Sequence, residues 1–251
     1  MKFEGRTLLV TGGASGIGRG LAEALHARGA KVVVAGRRAD LLAEVTAANP
    51  GMASMVLDVT RAEAIAEFAA RLIAAHPDLD GVINNAGIMR KEDVTTPAHL
   101  ADAEATVVTN LLGPIRLTAH LLPHLMSRPR ATVINVTSGL AFVPLAATPT
   151  YSATKAALHS YTESLRHQLS ATSVEVVELA PPYVQTTLLG DFQANDPSAM
   201  PLADFVTEVM GLLSAEPTPP EVIVERCETL RHAAERGAYA AVFAGVNGQH
   251  F

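Results

Sequence analysis

Three side chains near the middle of the chain have the types and spacing needed to move a proton. Tyr151 and Lys155 are four residues apart, so on a helix they project from the same side, one turn apart. Free tyrosine titrates at about 10, and lowering its pKa by about three units requires about 4 kcal/mol of preference for the phenolate. The Lys155 ammonium in a partly desolvated cleft, assisted by a second cation, is one source of that preference. Ser138, thirteen residues before Tyr151, supplies a hydroxyl that could polarise a carbonyl group. Most tyrosine–lysine pairs with this spacing lie on an ordinary solvated helix surface. The neighbouring motifs must therefore show whether this pair is catalytic.

A glycine-rich stretch near the N-terminus has the context of a phosphate-binding loop. The apolar run at residues 7–10 leads into four glycines within residues 12–18, and apolar residues then recur at helical spacing through residue 28. Glycines let the backbone approach a pyrophosphate, and the free N–H groups of a helix N-terminus face the anion. An ordinary strand-to-helix turn is the alternative, but this context favours nucleotide binding. The residues assigned to the nucleotide here are Gly12, Ala14, Ser15, Gly16, Ile17 and Gly18.

The end of the second predicted strand, residues 31–35, indicates which nucleotide binds. An acidic residue at this point would hydrogen-bond the adenosine ribose and repel a 2′-phosphate. The chain has Gly36 there, followed by Arg37 and Arg38, and guanidinium groups suit a phosphate dianion. Two solvated arginines that open the next helix are the alternative. The missing carboxylate predicts NADP(H) rather than NAD(H).

Four further predicted strands also end in polar or small residues. The strands at residues 52–57, 81–84, 131–137 and 174–179 lead, in turn, to Asp58-Val59, Asn85-Ala86-Gly87, Ser138 and Pro181. Asp58 could accept a bond from an adenine amino group, or it could cap the helix that begins near Arg61. Asn85 and its neighbours could form a tight polar corner or lie against the cofactor ribose. Because ligands bind beyond the carboxyl ends of parallel strands, these ends predict one shared crevice.

Strands and helical patterns alternate along the chain, which predicts an α/β fold with a doubly wound parallel sheet and right-handed crossovers. Long helices are predicted at residues 100–125 and 150–169, and shorter helical patterns at 202–213 and 220–237, before an apolar stretch at 238–246. Asn110 inside the first long helix requires a satisfied amide, and a helix distortion there could hold a water. Residues 185–205 lack clear periodicity, so we expect them to form a lid over the crevice.

Composition bounds the class of protein. The 251 residues, 49% hydrophobic and 18% charged, suit one globular domain spanning residues 1–251. A net charge of −6 argues against nucleic acid and anionic membranes as partners. Cys227 is the only cysteine, and the sequence contains no long apolar leader or span, so we expect a cytoplasmic protein. His120 and His124 have the spacing of half a metal site, but no third ligand is evident, so we predict no metal.

Together these motifs resemble the single-domain short-chain dehydrogenase/reductases over about residues 5 to 190. The resemblance rests on Thr11-Gly12-x-x-x-Gly16-x-Gly18, Asn84-Asn85-Ala86-Gly87, Asn110, Ser138 and Tyr151-x-x-x-Lys155. It implies a Rossmann-like strand order of 3-2-1-4-5-6, a nicotinamide cofactor and reversible ketone/alcohol interconversion.

The resemblance also implies a role for each catalytic residue. Tyr151 would donate the proton in reduction and accept it in oxidation. Lys155 would lower the pKa of the phenol and bond the nicotinamide ribose, Ser138 would position the carbonyl oxygen, and Asn110 would hold a water of the proton relay. Besides the residues named above, Asp58, Val59, Asn85, Ala86, Gly87, Tyr151, Lys155, Pro181, Val184 and Thr186 are assigned to the cofactor. The substrate is assigned to Ile88, Leu140, Phe142, Leu145, Tyr183 and Leu188.

Two departures from the family pattern concern the C-terminal part. Pro181-Pro182 stands where the family usually has Pro-Gly, and the chain ends in Asn247-Gly248-Gln249-His250-Phe251 rather than a seventh strand followed by Asp-Gly-Gly. The seventh strand is therefore in doubt. Both features resemble a bacterial subgroup labelled for D-alanylation of teichoic acid, but a hydride-transfer site offers no chemistry for aminoacyl esterification.

The sequence therefore predicts an NADPH-dependent carbonyl reductase or secondary alcohol dehydrogenase acting on a medium-sized, largely uncharged ketone or alcohol. An NADP(H)-binding regulatory protein without turnover is the alternative. We also expect a homodimer packed through the two long helices, with a homotetramer as the alternative. The apolar residues predicted to face outward there are Val107, Leu111, Ala157, Leu158 and Leu165.

Overall fold

The computed structural model describes residues 1–248 as a single parallel sheet covered by helices on both faces. The seven strands lie in the order β3-β2-β1-β4-β5-β6-β7. Their bounds are β1 Thr7–Thr11, β2 Lys31–Gly36, β3 Ala53–Val56, β4 Leu79–Asn84, β5 Ala131–Val136, β6 Val174–Ala180 and β7 Glu221–Ile223. The predicted order of the first six strands and the parallel sheet are confirmed.

The connections between the strands are helical. The α-helices are α1 Gly16–Ala27, α2 Ala39–Ala48, α3 Ala62–Ala75, α4 Leu100–Val107, α5 Gly113–Ser127, α6 Pro149–Gln168, α7 Asp191–Ala194, α8 Leu202–Leu213, α9 Glu228–Arg231 and α10 Tyr239–Gly248. Within the described residues, no helix is both long and apolar enough to cross a membrane.

Alternation along the strands divides the core into two layers. Leu8 and Val10 of β1 face one layer, which contains Leu21 of α1, and Leu9 faces the other, which contains Phe68 of α3. Successive side chains of a strand point to opposite faces, so a sheet covered on both sides needs apolar residues at nearly every position. This explains the fully buried β1 and β5. The rigid sheet sets the positions of the strand ends that carry the predicted site.

The structure contains the seventh strand that the sequence left in doubt. β7 pairs in parallel with β6 through Leu179 and Val222, so the helix predicted at residues 220–237 is wrong at its start. The segment continues as a 3-10 turn, Glu225–Cys227, and then as α9. The run from Val222 to Val224 is β-branched and contains two fully buried valines, which suits a strand at the sheet edge better than a helix.

The first long helix is interrupted. Between α4 and α5 the backbone forms a π-helical turn, Val108–Leu112, so the continuous helix predicted at 100–125 is wrong at its centre and the suggested distortion at Asn110 is present. Residues 202–213 form α8 as predicted. The segment before α8 contains the short α7, and a bridge between Val184 and Met200 holds its two ends together.

Two residues expected to face outward do not. Leu158 and Leu165 of α6 are buried, at 1% and 7% exposure, because their side chains pack inward from the helix. Val107, Leu111 and Ala157 are partly exposed. The surplus apolar surface of the two long helices is therefore smaller than predicted.

Candidate active site and dinucleotide cleft

The loop between β1 and α1 has the form of an anion cradle. Gly12 and Gly16 have φ angles of 68° and 53°, a region that residues with a side chain rarely adopt. A Cβ on Gly12 would lie 2.8 Å from Nδ2 of Asn85, so the loop also depends on glycine for space. Ser15 at the start of α1 makes no side-chain cap, and the first turn contains no acidic residue. The free N–H groups of this helix N-terminus suit an external phosphate.

Asn85 and Thr11 fix this loop to the end of β4. The Thr11 hydroxyl accepts hydrogen bonds from the backbone N–H groups of Asn85 (3.0 Å) and Ala86 (3.1 Å), and the Asn85 amide donates to the Thr11 carbonyl at 3.0 Å. The structure is consistent with both roles suggested for Asn85, because this residue forms a polar corner and also lines the cleft. Gly18 packs against Asn85 and Gly12 and does not line the cleft.

At the end of β2 the cleft is open and basic. A Cβ on Gly36 would meet nothing within 4 Å, and Arg37 and Arg38 line the same space. Arg38 donates to the Ser15 hydroxyl at 3.1 Å. Within residues 1–248, neither arginine forms a salt bridge with a carboxylate. Both cations can therefore receive an external anion.

Asp58 lies at the end of β3 but not on the cleft surface. Its carboxylate accepts from the Thr60 backbone N–H at 3.0 Å and from the Thr60 hydroxyl at 2.7 Å. Burial alone would raise the pKa of Asp58, but the Thr60 hydrogen bonds and the nearby Arg37 and Arg61 hold this pKa below its ordinary value. Arg61 precedes α3 as its N-cap, so the capping role suggested for Asp58 is wrong. Val59, the next residue, does line the cleft.

The three predicted proton-transfer residues come together at the carboxyl end of β5. Tyr151 and Lys155 are buried on α6, and the Lys155 ammonium lies 5.6 Å from the centroid of the Tyr151 ring. Burial raises the pKa of Tyr151 to about 12, although a hydrogen bond with Ser138 opposes this rise. Burial also lowers the pKa of Lys155 to about 8. The chain alone therefore holds the phenol protonated, and the lowered tyrosine pKa expected from the sequence is not a property of these side chains by themselves.

The Lys155 ammonium donates one hydrogen bond within the described chain, to the Val136 carbonyl at 2.7 Å. An ammonium has three N–H donors, and Lys155 lines the dinucleotide cleft. Two donors are therefore available to a ligand. These donors, the basic end of β2 and the glycine cradle together fit a nicotinamide dinucleotide.

Asn110 occupies the π-helical turn and supports the site from behind. Its side-chain oxygen accepts from the Ile88 N–H at 2.9 Å, and its amide donates to the Ile88 carbonyl at 2.8 Å. A longer bond of 3.4 Å reaches the Thr154 hydroxyl. The amide is thus satisfied, as its burial at 1% exposure requires. Its role in holding a water stays a prediction.

A second cavity of about 480 Å³ adjoins the cleft. Its walls are mostly apolar, and Ser138 and Tyr151 line both spaces. The predicted substrate residues Leu140, Leu145, Tyr183 and Leu188 line this substrate-side cavity, whereas Ile88 lines the cleft. Phe142 lines neither. Its ring packs at 4.9 Å from His159 and 4.8 Å from the Arg231 guanidinium.

Several lining residues were assigned neither to the cofactor nor to the substrate from the sequence. They are Met89, Leu189, Gln193, Ser198, Arg226, Thr229, Leu230, Val242, Gly245 and Val246 of the substrate-side cavity, and Thr11, Leu57, Arg90, Thr109, Thr137 and Thr187 of the cleft. Thr11, Leu57 and Thr137 adjoin predicted strand ends, so their positions were a usable signal. The residues after β7 had none, because only the folding of α9 and α10 over the cavity brings them there.

The remaining residues assigned to the cofactor also line the cleft. Ala14, Ser15, Ile17, Ala86, Gly87, Pro181, Val184 and Thr186 line the cleft. His124, one of the two histidines with metal-site spacing, contacts the Leu79 carbonyl at 3.1 Å, and Cys227 is fully buried. Burial raises the pKa of the Cys227 thiol to about 12. No group of three or more His, Cys, Asp or Glu within residues 1–248 could hold a metal ion.

Comparison with known proteins agrees with this geometry. A family model described as short chain dehydrogenase matches residues 6–197. The "Uncharacterized oxidoreductase DltE" of Bacillus subtilis is 39% identical over 260 residues, which span 99% of each chain. The sequence alignment therefore covers nearly the whole chain, including the altered C-terminal part.

Two solved structures show the same fold with different nucleotides. A short chain dehydrogenase from Burkholderia cenocepacia in complex with NADP has a TM-score of 0.82 at 30% identity, covering 97% of this chain and 99% of its own. A short chain dehydrogenase/reductase from Burkholderia phymatum in complex with NAD has a TM-score of 0.81 at 21% identity, covering 94% and 95%. The fold alone is thus compatible with either nucleotide.

Proposed function

Because the chain belongs to the short-chain dehydrogenase/reductase family, we propose that it is an NADPH-preferring carbonyl reductase or secondary alcohol dehydrogenase. As a family member it is an oxidoreductase acting on carbonyl or CH–OH groups. The observation that carries the finer proposal is the position of Ser138 and Tyr151, which line both the dinucleotide cleft and the substrate-side cavity. A carbonyl lying at this junction would face a hydrogen-bond donor on one side and the cleft on the other.

The raised pKa of Tyr151 suits the reductive direction. At neutral pH the phenol keeps its proton and can donate it to an oxygen that gains negative charge, while the Ser138 hydroxyl orients that oxygen. When bound, the nicotinamide ring supplies the hydride and, in its oxidised state, the second positive charge that phenolate formation requires. Lys155 contributes the first charge and remains close enough to act on the phenol electrostatically.

NADP preference is supported by the basic end of β2. Gly36 leaves open space at the end of β2, where the adenosine ribose would lie, and Arg37 and Arg38 line that space without carboxylate partners in the described chain. A 2′-phosphate would gain charge-assisted hydrogen bonds that a ribose hydroxyl cannot form as strongly. NADPH is therefore the proposed cofactor.

The proposed substrate is a medium-sized, largely uncharged ketone or secondary alcohol. The volume of the substrate-side cavity falls in the range of small-molecule sites, and Met89, Leu145 and Tyr151 form a small apolar cluster beside it. We further propose that residues 185–205 close over the substrate, since Leu188 and Leu189 line the cavity. A cytoplasmic location is proposed from the single buried cysteine.

A ketone panel tests the function. Purified protein with NADPH and each ketone is followed by the near-ultraviolet absorbance of NADPH, beside Tyr151→Phe, which keeps the ring and removes the proton. Turnover by the natural chain and its loss in the variant are expected. Tight NADPH binding with no turnover of any carbonyl or alcohol would instead support the dinucleotide-binding regulator.

A further inference from the structure

The charged side chains that line the two cavities are all basic, although the protein carries a net charge of −6. Arg37, Arg38, Arg90 and Lys155 line the cleft, and Arg226 lines the substrate-side cavity. No Asp or Glu among residues 1–248 lines either space. Clefts lined by charge of one sign concentrate ligands of the opposite sign. The dinucleotide accounts for the cations near the glycine loop, but not for Arg226.

Arg226 lies in the 3-10 turn after β7, away from the dinucleotide loop in the sequence and on the other cavity. The next residue, Cys227, is fully buried and holds this turn against the protein. The Arg226 guanidinium makes one hydrogen bond, to the Ser198 carbonyl at 3.3 Å. Within the described chain it has no carboxylate partner. A guanidinium has five N–H donors in a planar fork that matches a carboxylate. Most of the N–H donors of Arg226 are therefore available to a ligand.

The other walls of this cavity are mostly apolar, whereas Arg226 itself is exposed. Leu140, Leu145, Leu230 and Val246 line its apolar part, and Ser138 and Tyr151 line the end that joins the cleft. A ligand that fills the cavity therefore meets a proton donor, an apolar middle and a cation. An uncharged ketone uses only the first two.

We propose that Arg226 binds a carboxylate of the substrate, so that the substrate is an aliphatic oxo acid or the corresponding hydroxy acid. The carbonyl carbon lies at Ser138 and Tyr151, the hydrocarbon chain contacts the apolar walls, and the carboxylate lies at the Arg226 end. This inference rests on the proposed function and adds a single negative charge to the otherwise uncharged substrate. Arg226 acts as a specificity-determining residue and takes no part in proton transfer.

The test compares 7-oxooctanoate with its methyl ester, which keeps the ketone and the chain but removes the charge. The Arg226→Gln variant retains an N–H donor for the Ser198 carbonyl and loses the cation. We expect kcat/KM for the acid to fall about fivefold, near the upper range for an ion pair at an exposed site, mainly through KM. The ester and the affinity for NADPH should not change. Because exposed ion pairs are screened, added salt should reduce the preference of the natural chain for the acid.

Arg236→Gln is the matched control. Arg236 is an exposed arginine of the same C-terminal part, bonded to Glu228 at 3.3 Å, and lines neither cavity. The Arg236→Gln substitution removes the same positive charge as Arg226→Gln. It should leave the ratio of kcat/KM for the acid to kcat/KM for the ester unchanged. Equal loss in both variants would mean that net charge, rather than Arg226, sets the preference, and would overturn the inference.

Two further outcomes separate this inference from the proposed function. If natural protein and Arg226→Gln reduce acid and ester with the same ratio, the inference fails while ketone reduction stands. If neither compound is reduced, the ketone panel decides the proposed function, and calorimetric binding of both compounds to the NADPH-loaded protein decides the inference. Tighter binding of the acid that Arg226→Gln abolishes supports it, and equal binding of acid and ester overturns it.

Discussion

At the scale of single residues, burial acts on Tyr151 and Lys155 in opposite directions. It raises the pKa of the phenol to about 12 and lowers the pKa of the ammonium to about 8, because both charged forms lose hydration. The neutral phenol is the form needed for proton donation. The ammonium, in contrast, loses its charge within the range of pH used in ordinary assays.

This difference predicts a pH dependence of NADPH binding. A ligand oxygen that accepts from the Lys155 ammonium prefers the charged form and raises its pKa in the complex. Affinity should therefore be level below about pH 8, where free Lys155 is charged, and fall as the pH rises further. Titration of NADPH fluorescence checks this, with Lys155→Met expected to bind more weakly and to lose the pH-dependent part. Constant affinity of the natural chain up to about pH 10 would contradict it.

Arg37 should determine the choice between NADPH and NADH. Losing a charge-assisted contact to the 2′-phosphate costs about 1.5–3 kcal/mol, so Arg37→Ala should weaken NADPH binding about tenfold or more and leave NADH nearly unchanged. Arg71→Ala on α3, which removes another exposed arginine, is the control. Equal losses for both nucleotides would show that the phosphate lies elsewhere.

Gly36→Asp tests the same site by adding a charge. A Cβ at this position meets no atom within 4 Å, so the substitution should not disturb the fold. The new carboxylate would repel a 2′-phosphate and could bond a ribose hydroxyl. The ratio of NADPH to NADH affinity should therefore fall, and an unchanged ratio in a folded variant would contradict the assignment of this space.

At the scale of elements, the turn that follows Ser138 depends on the segment after β7. A Cβ on Gly139 would lie 2.5 Å from Cδ1 of Leu230 and 3.0 Å from Sγ of Cys227. Gly139→Ala should therefore displace this turn, lower the midpoint of urea unfolding and reduce kcat through Ser138. Gly211→Ala in α8 is the opposite case, because a Cβ there meets nothing and alanine favours a helix by about 0.5–1 kcal/mol.

The free energy of unfolding and the turnover are measured for both glycine variants. Gly211→Ala should raise the free energy of unfolding and leave turnover unchanged. If Gly139→Ala is as stable and as active as the natural chain, the contact between this turn and the C-terminal segment contributes neither to stability nor to activity.

The same elements differ in how far they can be predicted from the sequence. Strand ends were predictable because a buried strand is a continuous apolar run and its carboxyl end is fixed by the sheet, which placed Gly12, Asn85 and Ser138 correctly on the cleft. The residues after β7 were not predictable in this way. The β-branched run from Val222 to Val224 favours a strand, but it is too short to show a periodicity, so the pairing with β6 decides between strand and helix. Arg226 reaches the cavity only through that pairing, so no local pattern could indicate it.

At the scale of the whole molecule, the prediction concerns assembly. We propose a homodimer through α4, α5 and α6, supported by the partly exposed Val107, Leu111 and Ala157. Leu100 of α4 and Met126 of α5 are exposed large apolar residues, at 51% and 47% exposure. Light scattering at micromolar concentration should give twice the chain mass of 26.3 kDa. A mass equal to a single chain would exclude the helix interface, and four times that mass would indicate the tetramer.

The π-helical turn at Val108–Leu112 has a consequence for the spacing of residues along the chain. Such a turn holds one residue more than an α-helical turn, and each residue of a helix advances the face by about 100°. Because the wider turn absorbs its extra residue, deleting one residue between 108 and 112 would favour an unbroken helix and leave the orientation of α4 relative to α5 nearly unchanged, with the fully buried Thr106 on its present face. The change would fall on the turn itself, where the Asn110 amide would lose its register with the Ile88 backbone. Length variation, commonly tolerated in surface loops, is thus disallowed within this helix, where a single deletion would misalign the support of the active site.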